Sequence, residues 1–234
     1  MAVHKKKMTR SGRPENEAAA LLFLAISFLI TCYPSRPSFS PLPPQVKSIE
    51  GYASFRLARE GGVAKSRFSF LFLLPGQGRI DIYAPLGRTI SSLFIEENEA
   101  FFVLPSKRIY WRATREEAMS NILGFALSPQ EMTTILSGEL GELGGWNQER
   151  DGRGRVIRGQ RDDLRFEVRQ FFEDSRLPHL ITLSHAGDKG TLRILRLNFN
   201  QPLKKDAFRL SFLEDEKYAA ATWAEIEKWL RHED

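Results

Sequence analysis

Cysteine and histidine, two side chains that commonly bind metals or act in catalysis, are scarce in this sequence. The chain has one cysteine and four histidines among its 234 residues. His179 and His185 lie within its body, and we find no Cys, Asp or Glu around them at the spacing of a metal site. On one strand their side chains would stand about 20 Å apart, too far for a single ion. The sequence therefore predicts no metal site.

The common catalytic and nucleotide-binding motifs are also missing. The chain has no P-loop, no G-x-S-x-G and no H-E-x-x-H, and its G-x-G fragments at Gly76 and Gly152 lack a third glycine and a following helix. Asp81 is the one carboxylate in an otherwise apolar stretch. We expect it to face outward and to pair with Arg79 or with a base on a neighbouring strand. These observations predict neither an enzyme nor a bound cofactor.

Cys32, the only cysteine, ends the longest apolar run of the chain. Residues 18–31 carry no charge and follow a basic head that contains Lys5, Arg10 and Arg13. A membrane-spanning helix needs roughly 20 apolar residues, whereas the core of a secretory signal has roughly 7 to 15. The sequence therefore predicts a signal peptide over residues 1–31, with an uncleaved membrane anchor as the alternative.

The residues at the end of this run predict lipidation of Cys32. Leu29-Ile30-Thr31-Cys32 resembles the lipobox of bacterial lipoproteins, after which an acylated cysteine becomes the first residue, although Thr31 replaces the usual Gly, Ala or Ser. Because one acyl chain anchors only marginally, stable attachment takes two or more. Tyr33 stands where an aspartate retains some lipoproteins in the inner membrane, which favours an outer-membrane location.

Charge argues against a nucleic-acid partner. The whole chain has a formal charge of +5, but residues 1–31 hold five Lys or Arg and two Glu, which leaves 29 basic and 27 acidic residues, or +2, in the mature chain. The high pI thus comes largely from the leader. Residues 150–161 form a local basic cluster, which we interpret as a solvated hairpin; a contact with anions such as lipid headgroups is the alternative.

The chain divides into four predicted segments. Residues 1–31 are the signal peptide, residues 32–45 a Pro- and Ser-rich tether, residues 46–213 the folded domain, and residues 214–234 a C-terminal helix. An apolar stripe at helical spacing runs along that last helix. We expect this stripe to pack on the body, with a partner or the membrane as the alternative.

The folded domain reads as strands with short helices. Short alternating stretches separated by tight turns predict antiparallel strands, because parallel strands need long crossovers. The stretch KSRFSFLFLL, residues 65–74, predicts a strand with Phe68, Phe70 and Phe72 on one face. Leu71 and Leu73 add apolar groups to its other face, so we expect this strand to be covered on both sides. Helix starts are predicted at three capping boxes, listed here as Thr114/Glu117, Ser128/Glu131 and Thr222/Glu225. The pattern predicts an α+β domain: a curved antiparallel sheet closed by short helices, able to enclose an apolar cavity for acyl chains.

The order of these features resembles the LolB family of outer-membrane lipoprotein receptors. The resemblance covers roughly residues 47–200 and rests on the stretch SRFSFLFLLPGQGRIDIYAPLGRTISSLFIEE, with its R-F pair at Arg67 and P-L-G-x-T loop from Pro85 to Thr89. It implies a single strongly curved antiparallel sheet, an open half-barrel, with short helices plugging the concave apolar face. Two features depart from the family: Ile135 stands where the second helix usually has tryptophan, and the chain continues from Gln201 to Asp234.

The resemblance also implies a function and a site. The protein would be a monomer, anchored to the membrane by its lipid, that takes lipoproteins by their acyl chains from a periplasmic LolA-like carrier and inserts them in the outer membrane. Leu86 would be the membrane-insertion residue of the P-L-G loop. The acyl-binding wall would be Phe68, Phe70, Phe72, Ile80, Ile82, Phe94 and Ile95, and the movable plug Met119, Ile122, Met132 and Ile135. A structural or scaffolding envelope lipoprotein with the same fold is the alternative.

Overall fold

Alternation of apolar and polar side chains produces the strands of this protein, because successive residues of a strand point to opposite faces. The computed structural model describes residues 37–59, 62–139 and 144–230, all within one compact unit, Pro37–Asp234. The predicted signal peptide and Cys32 lie outside the described residues. The strands are β1 (Ser38–Phe39), β2 (Ser48–Arg59), β3 (Gly62–Leu73), β4 (Gln77–Tyr83), β5 (Thr89–Glu96), β6 (Glu99–Leu104), β7 (Ile109–Thr114), β8 (Asn147–Arg150), β9 (Val156–Arg161), β10 (Leu164–Phe171), β11 (Pro178–His185), β12 (Asp188–Phe199) and β13 (Ala219–Ala220).

The described strands form one curved sheet of 13 strands that does not close. Its order is β13-β7-β6-β5-β4-β3-β2-β12-β11-β10-β9-β8, with β1 beside β12, and the main strands are antiparallel. Strands β2 to β7 form a first antiparallel meander and strands β8 to β12 a second one, and the two meanders meet where β2 pairs with β12. Asn200 secures this junction, because its side-chain oxygen accepts from the backbone N–H groups of Lys47 (2.8 Å) and Ser48 (3.1 Å). The predicted open half-barrel of α+β class is confirmed.

The described residues form four helices, and capping signals in the sequence mark the starts of three of them. Their bounds are α1 (Arg115–Leu123), α2 (Pro129–Ser137), α3 (Phe212–Asp215) and α4 (Trp223–Leu230). Thr114 caps α1, and the capping box of Ser128 with Glu131 begins α2. Gly124 and Gly138 end these helices with positive φ angles of 80° and 70°, a conformation that glycine adopts without steric cost.

The two central helices fill the concave face of the sheet. Phenylalanines 68, 70 and 72 point to that face and belong to the same buried cluster as Met119 of α1 and Met132 of α2. Gly190 in β12 permits the close approach of an aromatic pair there, since a Cβ at this position would lie 2.6 Å from the Phe125 ring. The main core is therefore the layer between the concave face and the helices α1 and α2.

The C-terminal segment wraps around one edge of the sheet. Leu213 of α3 packs on the convex face against Phe94 and Val103, in a small cluster separate from the main core. The chain then adds β13 beside β7 and returns to the concave side, where Ile226 of α4 is fully buried in the main core. The apolar stripe of α4 thus packs on the body, as the sequence predicted.

Part of the predicted tether is docked rather than free. Within residues 37–45, β1 runs parallel to β12, and Ser40 donates its backbone N–H to the Leu197 carbonyl at 2.9 Å. The hydroxyl of Ser40 in turn accepts from the backbone N–H of Phe199 at 3.0 Å. The ring of Phe39 lies 5.1 Å from that of Phe172. The Pro- and Ser-rich composition of residues 32–45 predicted a tether, but it did not predict that part of this tether pairs with β12.

Candidate functional site

An apolar cavity of about 760 Å³ opens on the concave side of the half-barrel, between the sheet and the helices α1 and α4. Its size falls within the roughly 300–1,000 Å³ range of small-molecule sites. Lys65 and Arg88 are its only charged lining residues among those described, and none is acidic. Its apolar lining comprises Phe55, Leu57, Ala64, Ile82, Ala84, Pro85, Ile90, Phe102, Ile122, Trp223 and Leu230.

A break in strand register brings two isoleucines to this cavity. Ile82 pairs with Ser91 and Tyr83 pairs with Thr89, which leaves Ile90 as the extra residue of a β-bulge. A bulge of this kind turns a side chain away from its regular alternation. Both Ile82 and Ile90 line the cavity and remain half-buried, so each has apolar surface that an occupant could cover.

Helix α4 forms the wall opposite the strands. The ring of Trp223 lies 4.7 Å from Trp111 and 6.3 Å from Phe102, and Leu230 continues the same wall. The helix begins at a complete capping box: Glu225 accepts from the backbone N–H of Thr222 at 2.7 Å and from its hydroxyl at 2.9 Å. These hydrogen bonds to the charged carboxylate lower the pKa of Glu225.

Helix α2 is tied to the second meander by a buried polar cluster. Glu131, itself 8% exposed, accepts from the indole N–H of Trp146 at 3.1 Å and contacts the guanidinium of Arg161. Arg161 also donates to the carbonyl of Ala126 at 3.2 Å, and its guanidinium lies over the Trp146 ring. Because Glu131 is buried, removal of a partner would leave its carboxylate uncompensated, which is unfavourable. These contacts hold helix α2 in place. No residue of α2 lines the cavity, whose helical walls come from α1 and α4.

The P-L-G loop presents a leucine to solvent beside the cavity. Gly87 donates its backbone N–H to the Ala84 carbonyl at 2.9 Å, and its φ of 83° is readily adopted only by glycine. Pro85 sets the φ of the second turn position. This tight turn leaves no room for Leu86 to fold inward, and the side chain is 98% exposed.

The predicted acyl-binding residues occupy three different environments. Two of them, Ile82 and Ile122, line the open cavity. Eight are packed in the main core between the sheet and the two central helices: Phe68, Phe70, Phe72, Ile80 and Ile95 from the strands, and Met119, Met132 and Ile135 from the helices. The expectation that Phe94 faces the same cavity is wrong, since adjacent residues of a strand point to opposite faces and Phe94 packs against Leu213 on the convex side.

Several cavity residues were not predicted as part of a site. Trp223 and Leu230 were correctly expected to pack on the body, but their position over the open cavity depends on the C-terminal segment returning to the concave side. Ile90 reaches the cavity only through the bulge. No local signal in the sequence indicates the return of the C-terminal segment or the bulge at Ile90. The apolar stripe of α4 indicates only that this helix packs against another apolar surface.

The remaining candidates for chemistry have structural roles. Asp81 accepts from Arg79 at 3.0 Å and from Ser92 at 2.6 Å, as predicted for an outward-facing carboxylate. His179 lies 2.8 Å from the Ile194 carbonyl, and His185 lies 3.0 Å from Asp163. Within residues 37–59, 62–139 and 144–230, no group of three acidic, His or Cys side chains is arranged to hold a metal ion. None of the helices in these ranges is long and apolar enough to cross a membrane.

The predicted basic hairpin is confirmed. Strands β8 and β9 pair across a turn in which Arg155 contacts Asp151 at 2.8 Å, and Arg158 contacts Glu149 at 3.0 Å. The Arg155 hydrogen bond is the main cause of the lowered pKa of Asp151. Much of the positive charge of this segment is therefore paired within the hairpin itself.

Comparison with known proteins gives matches by structure and none by sequence. No protein-family model matches the chain, and no curated protein is significantly similar to it. A DUF1329 family protein from Desulfovibrio piger has a TM-score of 0.51 and 11% identity, over 73% of this chain and 92% of that chain. A putative outer membrane lipoprotein-sorting protein domain from Vibrio parahaemolyticus has a TM-score of 0.50 and 10% identity, over 72% and 92%. This chain shares its fold with these two proteins.

A further similar structure is a LolA superfamily protein from Nitrosomonas europaea, with a TM-score of 0.46 and 12% identity, over 72% of this chain and 92% of that chain. At such low identity the likeness to the first two structures establishes a shared fold and nothing about ligands. The cavity itself is defined by the residues of this chain, on the concave side of the open sheet and bordered by α1 and α4.

Proposed function

We propose that this protein is a lipid-anchored lipoprotein of the cell envelope that binds acyl chains and helps to insert lipoproteins in the outer membrane. The observation that carries the proposal is the half-buried apolar cavity of about 760 Å³ beside the exposed Leu86. An acyl chain can cover the apolar part of this lining, which also contains polar side chains such as Ser91 and Asn121. The absence of acidic lining residues among those described also avoids repulsion of lipid phosphates.

The partners follow from the same chemistry. The cargo would be the acyl chains of lipoproteins, delivered by a periplasmic LolA-like carrier, and the protein itself would be a monomer attached to the outer membrane through Cys32. Similarity to a putative outer membrane lipoprotein-sorting domain supports the envelope setting. Transfer would run from the carrier to the concave cavity and then past the P-L-G loop to the bilayer.

A structural or scaffolding role is the second candidate, and one observation favours it. Eight of the predicted acyl-binding residues are packed in the core between the sheet and the helices α1 and α2, so the deep part of the concave face is already filled. A protein whose concave face is filled could act only as a structural component of an envelope assembly. The two candidates differ in whether the remaining cavity takes up acyl chains.

Binding of a fluorescent diacylated cysteinyl peptide to the purified full chain separates these candidates. We expect saturable binding, and we expect Ile90→Asp with Ile122→Asp to weaken it by at least about tenfold, since a carboxylate in an apolar site is strongly disfavoured. Leu203→Asp is the matched control, because Leu203 is an exposed apolar residue outside the cavity. Absence of wild-type binding, or unchanged binding in the double variant, would favour the structural role.

A further inference from the structure

The convex face of the sheet carries a group of cations on neighbouring strands. Arg56 pairs in register with Lys65, while Arg67 and Arg193 flank Ser54 from the two adjacent strands. All four side chains are exposed. We call Arg56, Lys65, Arg67 and Arg193 the convex basic patch. Four positive charges on three central strands repel one another unless something negative lies near them.

No described carboxylate neutralises this patch. None of the four cations has an ion-pair partner among residues 37–59, 62–139 and 144–230, whereas other exposed arginines of the sheet do: Arg112 pairs with Glu99 and Arg158 with Glu149. The surface depression between the four side chains has a volume of about 540 Å³, and its lining contains no acidic residue. The patch thus differs from the basic hairpin, whose arginines are largely paired.

The depression reaches the P-L-G loop. Tyr83, Ala84 and Pro85 complete its lining, and Arg67 pairs with Tyr83 across β3 and β4. The exposed Leu86 follows directly after Pro85. An apolar tip and a set of unpaired cations therefore lie side by side on one edge of the molecule, which is the combination that suits a bilayer surface with anionic headgroups.

We propose that the convex basic patch binds the anionic headgroups of a membrane leaflet. The phosphates of anionic lipids would enter the depression between Arg56 and Arg193, where the guanidinium groups can donate paired hydrogen bonds to them. This contact orients the body on the bilayer with the P-L-G loop towards it. It requires no acyl cargo. Lys65 lines both the depression and the concave cavity, but Arg56, Arg67 and Arg193 line only the depression, so their substitution tests this contact separately from the proposed function.

Vesicle capture by the full chain tests this proposal. The protein is held in phosphatidylcholine nanodiscs on a sensor surface and exposed to phosphatidylcholine vesicles with or without about a quarter of phosphatidylglycerol. We expect capture of the phosphatidylglycerol vesicles to exceed capture of the neutral ones by at least about tenfold, and to disappear near 0.5 M salt, because screening weakens exposed charges. Equal capture of both vesicle types would overturn the proposal.

Charge reversal assigns the contact to the patch. Arg56→Glu with Arg193→Glu should reduce capture by at least about tenfold, while Lys204→Glu with Lys205→Glu, which changes the net charge equally at exposed positions outside the depression, should leave it unchanged. Arg67→Gln with Arg193→Gln, at positions that line only the depression, is the milder second pair if the first variant does not fold. Normal capture by folded patch variants would refute headgroup binding by the patch, because another surface of the protein would then hold the vesicles.

Discussion

Leu86 shows how strongly a single turn can determine the exposure of a side chain. It exposes 98% of its surface, whereas Val63, the next most exposed large apolar side chain among the described residues, exposes 50%. A leucine held in water loses the roughly 1.5–3 kcal/mol that burial of such a side chain would contribute. Since the turn geometry of Pro85 and Gly87 maintains this exposure, we interpret Leu86 as the residue that enters the bilayer.

Replacement of Leu86 tests this interpretation. Leu86→Asp should leave the fold and peptide binding unchanged, because the side chain has almost no contacts to lose, but should reduce transfer of a diacylated peptide to liposomes by at least about tenfold, since a carboxylate resists entry into hydrocarbon. Leu86→Met, which stays apolar, should transfer normally. Normal transfer by Leu86→Asp would contradict the insertion role.

At the scale of elements, α4 is held over the cavity by a pH-dependent cap. Because the pKa of Glu225 is lower in the folded helix than in an unfolded chain, its carboxylate stabilises the cap at neutral pH. That contribution is complete above the unfolded carboxyl pKa, and it is lost as the pH falls through the lower, folded pKa. Acid should therefore loosen the start of α4 before it affects the sheet.

Hydrogen exchange of the α4 amides measures this effect. We expect exchange in α4 to accelerate on acidification relative to β2, after correction for the intrinsic pH dependence of exchange. Glu225→Gln should remove this dependence and keep the neutral hydrogen bonds of the cap. Thr222→Ala should accelerate exchange at neutral pH as well, by an amount corresponding to the roughly 0.5–2 kcal/mol of a lost N-cap. A pH response that persists in Glu225→Gln would mean that another group controls the helix.

Local signals predicted the elements well and the site only in part. The capping residues Ser128 and Thr222 marked helix starts because their hydrogen bonds are formed within three residues. Strand alternation identified Phe68, Phe70 and Phe72 as one face, but it says nothing about how deeply α1 and α2 cover that face. The second cover that we predicted over Leu71 and Leu73 lies instead over Phe94 and Val103, where the C-terminal segment crosses the convex side.

At the scale of the whole molecule, the function proposed here depends on attachment through Cys32. Intact mass spectrometry of the protein purified from its own membranes should find a chain that begins at Cys32 and carries a diacylglyceryl group. Cys32→Ala should release the protein from the membrane or leave the precursor uncleaved. A chain that retains residues 1–31 without modification would mean a helical tether instead, and the half-barrel body would then act beside the membrane that holds that helix.

The junction between the two meanders has a consequence for how the chain acquires its structure. The hydrogen bond from the backbone of Ser48 to Asn200 joins residues 152 positions apart, and every pair between β2 and β12 spans a similarly long stretch. If the chain crosses a membrane from its N-terminus, β2 to β7 can pair in sequence, but one edge of β2 stays open until nearly the whole chain has followed. An open edge of this kind can pair with another molecule. Slow folding and a need for protection by chaperones during export are therefore built into the order of the strands.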